Sequence, residues 1–439
     1  MASALVSEAF VRWLRQVAPY VHAFRGRTFV VAFGGELFTE RTRFLTFVHD
    51  LNLLAALGIR LVLVHGARPQ IEAELKSRGV RSRYAQGLRV TDEAALTAVK
   101  QAAGVLRIEI EAVLSQGLPN SPMAGAQIRV NSGNFITARP IGVRKGIDFQ
   151  FTGSVRKVDS FAIRGALDAG EVVLVAHVGY SPTGEVFNLA WEDVAENVAI
   201  AMRADKLIMF TDRVPVDKRE QVVSELTARE AEALVRKGGL TQQTTRAIEH
   251  AVRALGNGVG RAHILSRRVP GSLLLELFTA AGVGTMITAD TLEQLRPARI
   301  EDVGGMLSLI EPLEVEGTLV KRSRELLEAE IGNFFVIEHD GTIRGLAALY
   351  PFPDAKCAEF ACLAVAADYR DAGYGEQLLH ACEERAKALK LRKLFALTTH
   401  ASHWFLEQGF KAGDVSSLPS QKQALYNWKR GSKVFLKRI

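Results

Sequence analysis

Short apolar segments alternate with helical patterns from about residue 26 to residue 288. The apolar segments are bounded by polar or glycine-bearing turns, which predicts buried strands at Thr28–Phe33, Arg60–His65, Val172–Val178, Lys206–Thr211 and Arg261–Leu265. Between them, apolar residues recur at helical spacing, for example over Phe44–Leu57 and Asp92–Leu114. This alternation predicts a mostly parallel sheet covered by helices on both faces.

The pattern changes after about residue 295. Two apolar segments, Phe334–His339 and Gly345–Tyr350, flank an Asp340-Gly341 pair, which predicts a hairpin. An apolar strand over 358–365 then leads into the glycine-bearing loop 370–376. A helix is predicted next, because Leu378, Leu379, Cys382, Ala386 and Leu389 form one apolar face. A strand, a glycine loop and a helix N-terminus in this order predict an anion site.

Length and composition narrow the class of protein. A chain of 439 residues is too long for one ordinary core, so two or three domains are expected. It is 48% hydrophobic and 23% charged, without an apolar run of the ~20 residues that a membrane span needs. Three cysteines without metal-type spacing, and an N-terminus without a secretory pattern, predict a cytoplasmic protein. The net charge of +7 is scattered without basic runs, so nucleic acid is not predicted; anionic small substrates or a solvated surface explain this charge.

The glycine loop resembles the pyrophosphate-binding signature of the GNAT acetyltransferases, Arg/Gln-x-x-Gly-x-Gly/Ala. A following strand, Lys393–Thr398, and a terminal Gly409-Phe410 pair strengthen the resemblance over that of an ordinary glycine-bearing turn. It implies a GNAT α+β domain that takes acetyl-CoA as co-substrate. The resemblance assigns acetyl-CoA binding to Cys362, Leu363, Val365, Arg370, Asp371, Ala372, Gly373, Tyr374, Gly375 and Glu376.

The first region resembles the amino acid kinase family, most closely its acetylglutamate kinase branch. The resemblance rests on the glycine loops at 34–35, 65–70 and 132–135 and on a closing segment, 261–287. It implies a three-layer αβα sandwich. Ala32 stands where a kinase of that branch carries lysine, and the segment His65-Gly66-Ala67-Arg68-Pro69 replaces a glycine run. Because phosphoryl transfer depends on charge neutralisation and positioning, we predict a kinase fold without kinase activity.

Arginine-regulated members of that family bind arginine between an N-terminal helix and the closing segment. The resemblance places this allosteric site at Tyr20, Lys206, His263, Glu276, Gly282 and Gly284. A carboxylate at Glu276 suits a guanidinium, and His263 can hydrogen-bond. Residue type alone favours the alternatives, in which Glu276 caps or solvates a helix and His263 is a satisfied core residue; the family segment favours the site.

A kinase-like domain followed by a GNAT domain resembles the N-acetylglutamate synthase family over essentially the whole chain. It implies domains at 1–288 and 295–439, transfer of acetyl from acetyl-CoA to L-glutamate in arginine biosynthesis, and feedback inhibition by L-arginine. Glu359 matches the general base and Thr398 the group that protonates the leaving thiolate, with a salt-bridged glutamate and a plain strand threonine as the alternatives. The glutamate-binding positions are Arg322, Cys362, Lys422, Arg430 and Ser432.

Two other functions stay open at this point. One is a bifunctional acetylglutamate synthase and kinase, against which Ala32 argues. The other is an arginine-regulated acetyltransferase for protein lysines. The family resemblance further implies a homo-oligomer, a hexamer, and a site that needs no metal. The first helix, with Phe10, Trp13 and Leu14, suits packing or oligomerisation.

Overall fold

The structure is a computed structural model that describes residues 2–279, 281–289, 293–339, 341–370, 373–399, 401–428 and 430–439. Within the first helix, the side chains of residues 2–7, 9 and 12 are not described. The chain divides into two compact units, Met1–Asp290 and Thr291–Ile439, called unit 1 and unit 2 below. No described helix is long and apolar enough to span a bilayer.

Unit 1 alternates strands and helices, as the apolar pattern predicts. Its helices are α1 (Ala2–Phe24), α2 (Arg41–Ala56), α3 (Arg68–Ser77), α4 (Glu93–Leu114), α5 (Ser160–Asp168), α6 (Trp191–Met202), α7 (Ala228–Lys237), α8 (Gln242–Gly256) and α9 (Ser272–Phe278). Its strands are β1 (Thr28–Phe33), β2 (Arg60–His65), β3 (Tyr84–Ala85), β4 (Leu88–Arg89), β5 (Val130–Ser132), β6 (Ile136–Pro140), β7 (Val143–Arg144), β8 (Ile147–Asp148), β9 (Gly153–Val158), β10 (Val172–Ala176), β11 (Val178–Tyr180), β12 (Val186–Asn188), β13 (Lys206–Thr211), β14 (Glu225–Thr227), β15 (Arg261–Ser266) and β16 (Thr285–Thr288).

The main sheet of unit 1 has the order β14-β16-β15-β13-β1-β2-β10-β5 and is parallel from β15 to β5. Alternate residues of β1 face opposite layers. Val30 and Ala32 pack with the helices α5, α6 and α8, whereas Phe29 and Val31 pack with α2, α4 and α9. The sheet is therefore buried on both faces, and the predicted three-layer sandwich is confirmed.

One predicted strand of unit 1 is too long. The chain leaves the main sheet after Ala176 and continues as β11 in a second sheet, of order β12-β11-β6-β9. The prediction of a strand over 172–178 was wrong at its end, because an unbroken apolar run cannot show where a strand changes sheets.

Unit 2 is a mostly antiparallel sheet with helices on both faces. Its helices are α10 (Val303–Val315), α11 (Arg324–Ala329), α12 (Tyr374–Ala388), α13 (Ser402–Glu407) and α14 (Ser420–Ala424). Its strands are β17 (Glu293–Pro297), β18 (Phe334–His339), β19 (Thr342–Phe352), β20 (Cys357–Val365), β21 (Lys393–Thr398), β22 (Lys411–Gly413) and β23 (Lys433–Arg438). They run in the order β17-β18-β19-β20-β21-β23-β22. Leu389, predicted on the apolar face of α12, lies past the end of the helix and is 48% exposed.

The one parallel pair among the described strands of unit 2 is β20 with β21. Their described pairing covers 357–359 and 393–395, although β20 continues to Val365. The two strands therefore part at Glu359, and the loop after β20 leads directly to α12.

Candidate active site

A β-bulge in β20 places the site residues on one face of the sheet. The register against β19 shifts between Leu346 and Ala348, and Cys362 has a φ of 53° within the strand. Before the bulge, Ala358 and Phe360 pack toward α12, whereas after it Cys362 and Ala364 pack toward α10 and α11. Even-numbered residues thus face α12 before the bulge, and odd-numbered residues face it after the bulge. As a result, Glu359 lies on the same face of the sheet as Cys362.

Glu359 lies at the point where β20 and β21 separate. Its side chain is 9% exposed, and Lys422 Nζ lies 2.7 Å from Glu359 Oε2. Lys422 is in the short helix α14, and its side chain is 26% exposed. Two residues that were predicted for different roles, the base and a substrate cation, therefore contact each other directly.

Arg322 brings a second cation to the same face. Burial lowers the pKa of Arg322. The nearby Cys362, Tyr350 and Glu359 raise it by a larger amount, so the pKa lies above its usual range. The backbone N–H of Arg322 donates to Glu314 Oε1 at 2.7 Å, and its Nη1 donates to the carbonyl of Val320 at 3.0 Å. Arg322 is thus held by main-chain contacts while its charge lies beside Glu359 and Cys362.

The other predicted substrate residues lie on the loops around this face. Arg430 Nη2 donates to the carbonyl of Thr318 at 2.6 Å, which connects the loop before β23 to the segment after α10. The main-chain carbonyl of Ser432, on the same loop, accepts from the Tyr426 hydroxyl. Thr398 ends β21, and its Oγ1 accepts from the N–H of Ala401 at 2.9 Å.

The sequence interpretation missed Tyr350 and Glu330. Tyr350 is opposite Glu359 in the β19–β20 ladder, and its hydroxyl donates to Glu330 Oε2 at 2.7 Å. Burial and Glu330 raise the pKa of Tyr350 well above its usual range, although the Arg322 guanidinium, which also bonds to the hydroxyl, lowers it. Tyr350 therefore connects the Glu330 carboxylate to Arg322. In the sequence, the only signal for this contact is that Tyr350 ends a predicted apolar strand.

The predicted acyl-donor loop opens at the N-terminus of α12. Gly373 is the N-cap residue of that helix and has a φ of 77°. Because glycine has no side chain, it cannot cap the helix with one. The N–H of Gln377 donates to the carbonyl of Gly373, so the N–H groups of 375 and 376 come before this first intrahelical bond. A Cβ on Gly375 would lie 3.1 Å from Trp404. The N-terminal turn therefore packs closely on Trp404.

The other residues predicted to bind acetyl-CoA differ in their burial and in their contacts. Tyr374 is 2% exposed, and its side chain packs in the core beside Leu378 and Leu379. Glu376 accepts from Trp404 Nε1 and Gln408 Nε2, both at 3.3 Å, and Arg370 is exposed. Leu363 and Val365 are half-buried against the α12 side. Asp371 and Ala372 lie outside the described residues.

Most of the predicted arginine site forms one buried cluster in unit 1. Lys206 Nζ lies 3.1 Å from His263 Nε2, and His263 Nδ1 lies 2.7 Å from Glu276 Oε1. Glu276 Oε2 accepts from the N–H groups of Val283 and Gly284 at 2.9 and 2.8 Å. Burial raises the pKa of Glu276, but His263 and these N–H groups lower it more, so the carboxylate stays charged.

Two other predicted residues shape the edge of this cluster. Gly282 has a φ of 60°, and a Cβ there would meet Glu276 Oε2 at 2.6 Å. Tyr20 lies in α1, 6.0 Å between ring centroids from Phe24, whose ring is 5.1 Å from Lys206 Nζ. Tyr20 is therefore joined to the cluster through Phe24.

One group of possible metal ligands in unit 1 already holds a cation. Ligand atoms of Asp193, Glu196 and His250 lie within 4.8 Å of one another. However, Arg253 Nη2 lies 3.0 Å from Glu196 Oε2 and 2.8 Å from His250 Nδ1. The guanidinium supplies the positive charge that a metal would bring.

Comparison with known proteins identifies the family. Residues 27–266 match the amino acid kinase family, and residues 306–410 match the acetyltransferase (GNAT) family. A curated amino-acid acetyltransferase from Ralstonia nicotianae is 51% identical over 434 residues, covering 98% of this chain and 96% of the relative. One from Azotobacter vinelandii is 50% identical over 431 residues, covering 98% and 99%. The chain belongs to the amino-acid acetyltransferase family.

A solved structure agrees with this family over the same length. N-acetylglutamate synthase from Neisseria gonorrhoeae, complexed with coenzyme A and L-arginine, is 39% identical, covers 98% of this chain and 99% of its own, and has a TM-score of 0.89. The predicted family, the fold class and acetyltransferase activity are confirmed. The roles predicted for individual residues of this amino-acid acetyltransferase stay predictions.

Proposed function

We propose that the chain transfers an acetyl group from acetyl-CoA to the α-amino group of L-glutamate, giving N-acetylglutamate and CoA. The observation that carries the proposal is one face of a splayed strand on which a carboxylate, Glu359, lies beside two cations, Arg322 and Lys422. A doubly acidic substrate needs cations, and its amine needs a base. The neighbouring N-terminus of α12 offers N–H groups to a diphosphate.

Each group of this face has a defined task in the proposed reaction. Glu359 takes a proton from the substrate ammonium, which must become a free amine before it attacks the thioester. In this structure Lys422 Nζ lies 2.7 Å from Glu359 Oε2, as in the alternative of a salt-bridged glutamate, so the proposal requires the substrate ammonium to take the place of Lys422 beside the carboxylate. Arg322, Lys422 and Arg430 hold the two substrate carboxylates, and the main chain of the separated β20 stabilises the oxyanion.

The thiol of Cys362 is not a nucleophile in this proposal. Burial raises the pKa of Cys362 to about 11, although Arg322 lowers it in part, so the thiol stays protonated at neutral pH. Direct transfer needs no acyl-enzyme. We assign protonation of the leaving thiolate to the hydroxyl of Thr398. This residue is the last of β21, the strand that pairs with β20 up to Glu359.

Release of CoA thiol tests the reaction. With acetyl-CoA, we expect L-glutamate to support release, whereas aspartate, glutamine and a lysine peptide support little. Glu359→Gln should lower kcat by about 10²- to 10⁴-fold, because it removes a general base. Glu328→Gln is the matched control; this half-buried glutamate of the same unit pairs with the exposed Arg324 at 2.8 Å, and it is assigned no role in the reaction. Equal activity of Glu359→Gln and the control would contradict the role of Glu359, and lysine-peptide activity would favour the protein substrate.

We further propose that unit 1 regulates rather than phosphorylates, and that L-arginine binding at the Lys206–His263–Glu276 cluster inhibits the transfer. Ala32, fully buried between Val64 and Met209, has no cation for a phosphoryl group. The charged Glu276 carboxylate is suited to a guanidinium. The Neisseria enzyme complexed with arginine supports the effector, and the predicted hexamer stays a prediction.

The arginine proposal is tested by the ratio of thiol release with and without arginine. We expect a ratio below one in the unchanged protein and a ratio near one in Glu276→Gln, because the amide cannot pair with a guanidinium. Glu249→Gln, an exposed glutamate on α8, should keep the original ratio. Arginine inhibition that persists in Glu276→Gln would place the effector elsewhere.

A further inference from the structure

Two tyrosine rings join the ends of the segment between β20 and α12. Tyr369 ends the short helical turn Ala367–Tyr369 after β20, and Tyr374 is the first residue of α12. Their ring centroids lie 5.4 Å apart with an interplanar angle of 23°, so the rings are stacked. The two residues are five positions apart, and the predicted acyl-donor loop begins between them. The stack therefore holds the start of this loop against the start of the helix.

Arg344 of β19 adds a cation to the Tyr369 ring. The guanidinium carbon of Arg344 lies 5.3 Å from the centroid of that ring, which is within the range of a cation–π contact. Among the described residues, nothing accepts a hydrogen bond from the buried Nε of Arg344. The carbonyl of Arg344 accepts from the N–H of Ala366 at 2.8 Å, just before the turn that ends in Tyr369. Arg344 thus holds this segment through both its main chain and its side chain.

His339 of β18 contacts both tyrosines. Its ring centroid lies 5.3 Å from that of Tyr369, and its Nδ1 lies 3.3 Å from the Tyr374 hydroxyl oxygen. Tyr374 is buried in the core beneath α12, and the half-buried Tyr369 packs against that core. Tyr374 is therefore the fixed partner of the stack, and His339 and Arg344 hold Tyr369 beside it.

The N-terminus of α12 is where these contacts bear on function. The proposed function puts the diphosphate of acetyl-CoA there, at N–H groups that come before the first intrahelical bond. Ordering a loop at the moment of binding costs conformational entropy, and that cost lowers the affinity. Contacts that order the segment before the donor arrives reduce the cost.

We propose that Tyr369, held by Arg344 and His339 against Tyr374, is a positioning residue for the acyl donor. It keeps the start of α12 in the arrangement that receives the diphosphate, and it acts through the backbone, without contact to the reacting atoms. The inference rests on the proposed function for the place of the diphosphate. The ring of Tyr369 makes all three contacts, so phenylalanine should replace this tyrosine and leucine should not.

Titration of the full-length chain with coenzyme A, measured by calorimetry, tests the proposal without any acceptor substrate. Tyr369→Leu should raise the Kd about tenfold, because it removes the stacked ring and the cation–π contact. Arg344→Gln should raise the Kd about threefold, because it removes the cation alone. Tyr369→Phe keeps the ring and should bind like the unchanged protein. Tyr180→Leu, at an exposed tyrosine of unit 1, is the matched control.

A double variant tests whether Arg344 acts through the ring. In the Tyr369→Leu background, Arg344→Gln should have no further effect on the Kd, because the ring that it holds is gone. Effects that multiply would give Arg344 a separate role, such as direct contact with a phosphate, and would overturn this part of the proposal.

Thiol-release kinetics distinguish positioning from a role in the chemical step. Tyr369→Leu should raise the KM for acetyl-CoA, with kcat and the KM for glutamate close to their original values. A fall in kcat alone, or a Tyr369→Phe variant as weak as Tyr369→Leu, would overturn the proposal. Equal binding of coenzyme A by Tyr369→Leu and Tyr180→Leu would also overturn it.

The two assays separate this inference from the proposed function. If glutamate supports no thiol release, the proposed function fails, and the titration with coenzyme A still decides the role of Tyr369. If the unchanged protein does not bind coenzyme A, both fail. Circular dichroism and the Tm without ligand establish that each variant is folded. Should Tyr369→Leu not fold, unchanged binding by Arg344→Gln would overturn the proposal.

Discussion

At the residue scale, the active face depends on side chains that hold one another in place. Arg322 is fixed through its backbone by Glu314, and the Tyr350 hydroxyl connects its guanidinium to Glu330. We therefore regard Tyr350 as a positioning residue for Arg322. It acts on the substrate through the arginine and needs no contact with the reacting atoms.

Tyr350→Phe should raise the KM for glutamate about three- to tenfold, because a misplaced guanidinium holds a carboxylate less well. We expect kcat and the KM for acetyl-CoA to stay close to their original values, since the base and the donor loop are unchanged. Steady-state thiol-release kinetics measure all three constants. Tyr180→Phe, an exposed tyrosine of unit 1, is the control. A fall in kcat with no change in KM would contradict a positioning role.

At the scale of the element, strand bounds were largely predictable and the site was not. The predicted strands 28–33, 60–65, 206–211, 334–339 and 393–398 agree with the structure at both ends, because polar or glycine turns bound each apolar run. The break after Ala176 leaves no such mark. The bulge in β20 leaves a faint one, since the apolar residues facing α12 change from even to odd positions between Phe360 and Leu363.

The site contacts depend on long-range packing that no local pattern reports. Lys422 and Glu359 are 2.7 Å apart although more than sixty residues separate them. Their contact depends on where the loop before β23 folds back. Family resemblance singled out Arg322, Lys422 and Arg430 among the 55 lysines and arginines, but residue type alone could not do so.

The loop before α12 leads to a prediction about the acyl donor. Gly375→Val should raise the KM for acetyl-CoA about tenfold or more, because a side chain at this position meets Trp404 and moves the N-terminal turn. The KM for glutamate should change much less. Gly304→Val in α10, where a Cβ meets no atom within 4 Å, is the matched control. If both variants changed the KM for acetyl-CoA equally, this turn would have no specific role in binding the acyl donor.

At the scale of the whole molecule, each unit has its candidate sites where strands of a sheet end or part. In unit 1, a cavity of about 180 Å³ lies at the carboxyl ends of the parallel strands β2 and β10, the place where such folds collect ligands. In unit 2, the active face begins where β20 and β21 separate. Lysine or arginine side chains lie at both places, which agrees with a net charge of +7 spread over the chain.

Three buried histidines, His65, His177 and His263, make the stability of unit 1 depend on pH, because burial lowers the pKa of each; that of His263 falls to about 4. Burial lowers the pKa of His65 to about 4, and burial together with His65 lowers that of His177 to about 3. The unfolded chain takes up these protons near pH 6.5, whereas the folded chain does so only at lower pH. Stability therefore falls as the pH falls from about 6.5 toward 4, by up to about 1.4 kcal/mol per pH unit for each histidine.

Hydrogen exchange of amides in β2 and β10 at pH 7, 6 and 5, corrected for the intrinsic rate, measures this loss. His177→Gln should make the dependence shallower, and His22→Gln, at an exposed position, should leave it unchanged. Protection that is equal at all three pH values would mean that these rings are protonated alike in the folded and unfolded chains.

The reversal at Cys362 has a consequence for how this strand can change. Removing one residue between Phe360 and Leu363 would restore strict alternation and leave Ala358, Phe360, Leu363 and Val365 together on the α12 side, with Glu359 on the other side. Such a deletion would therefore keep the core and remove only the bulge with its positive φ at Cys362. The extra residue of this strand serves the shape of the backbone at the site and is not required by the packing of the core.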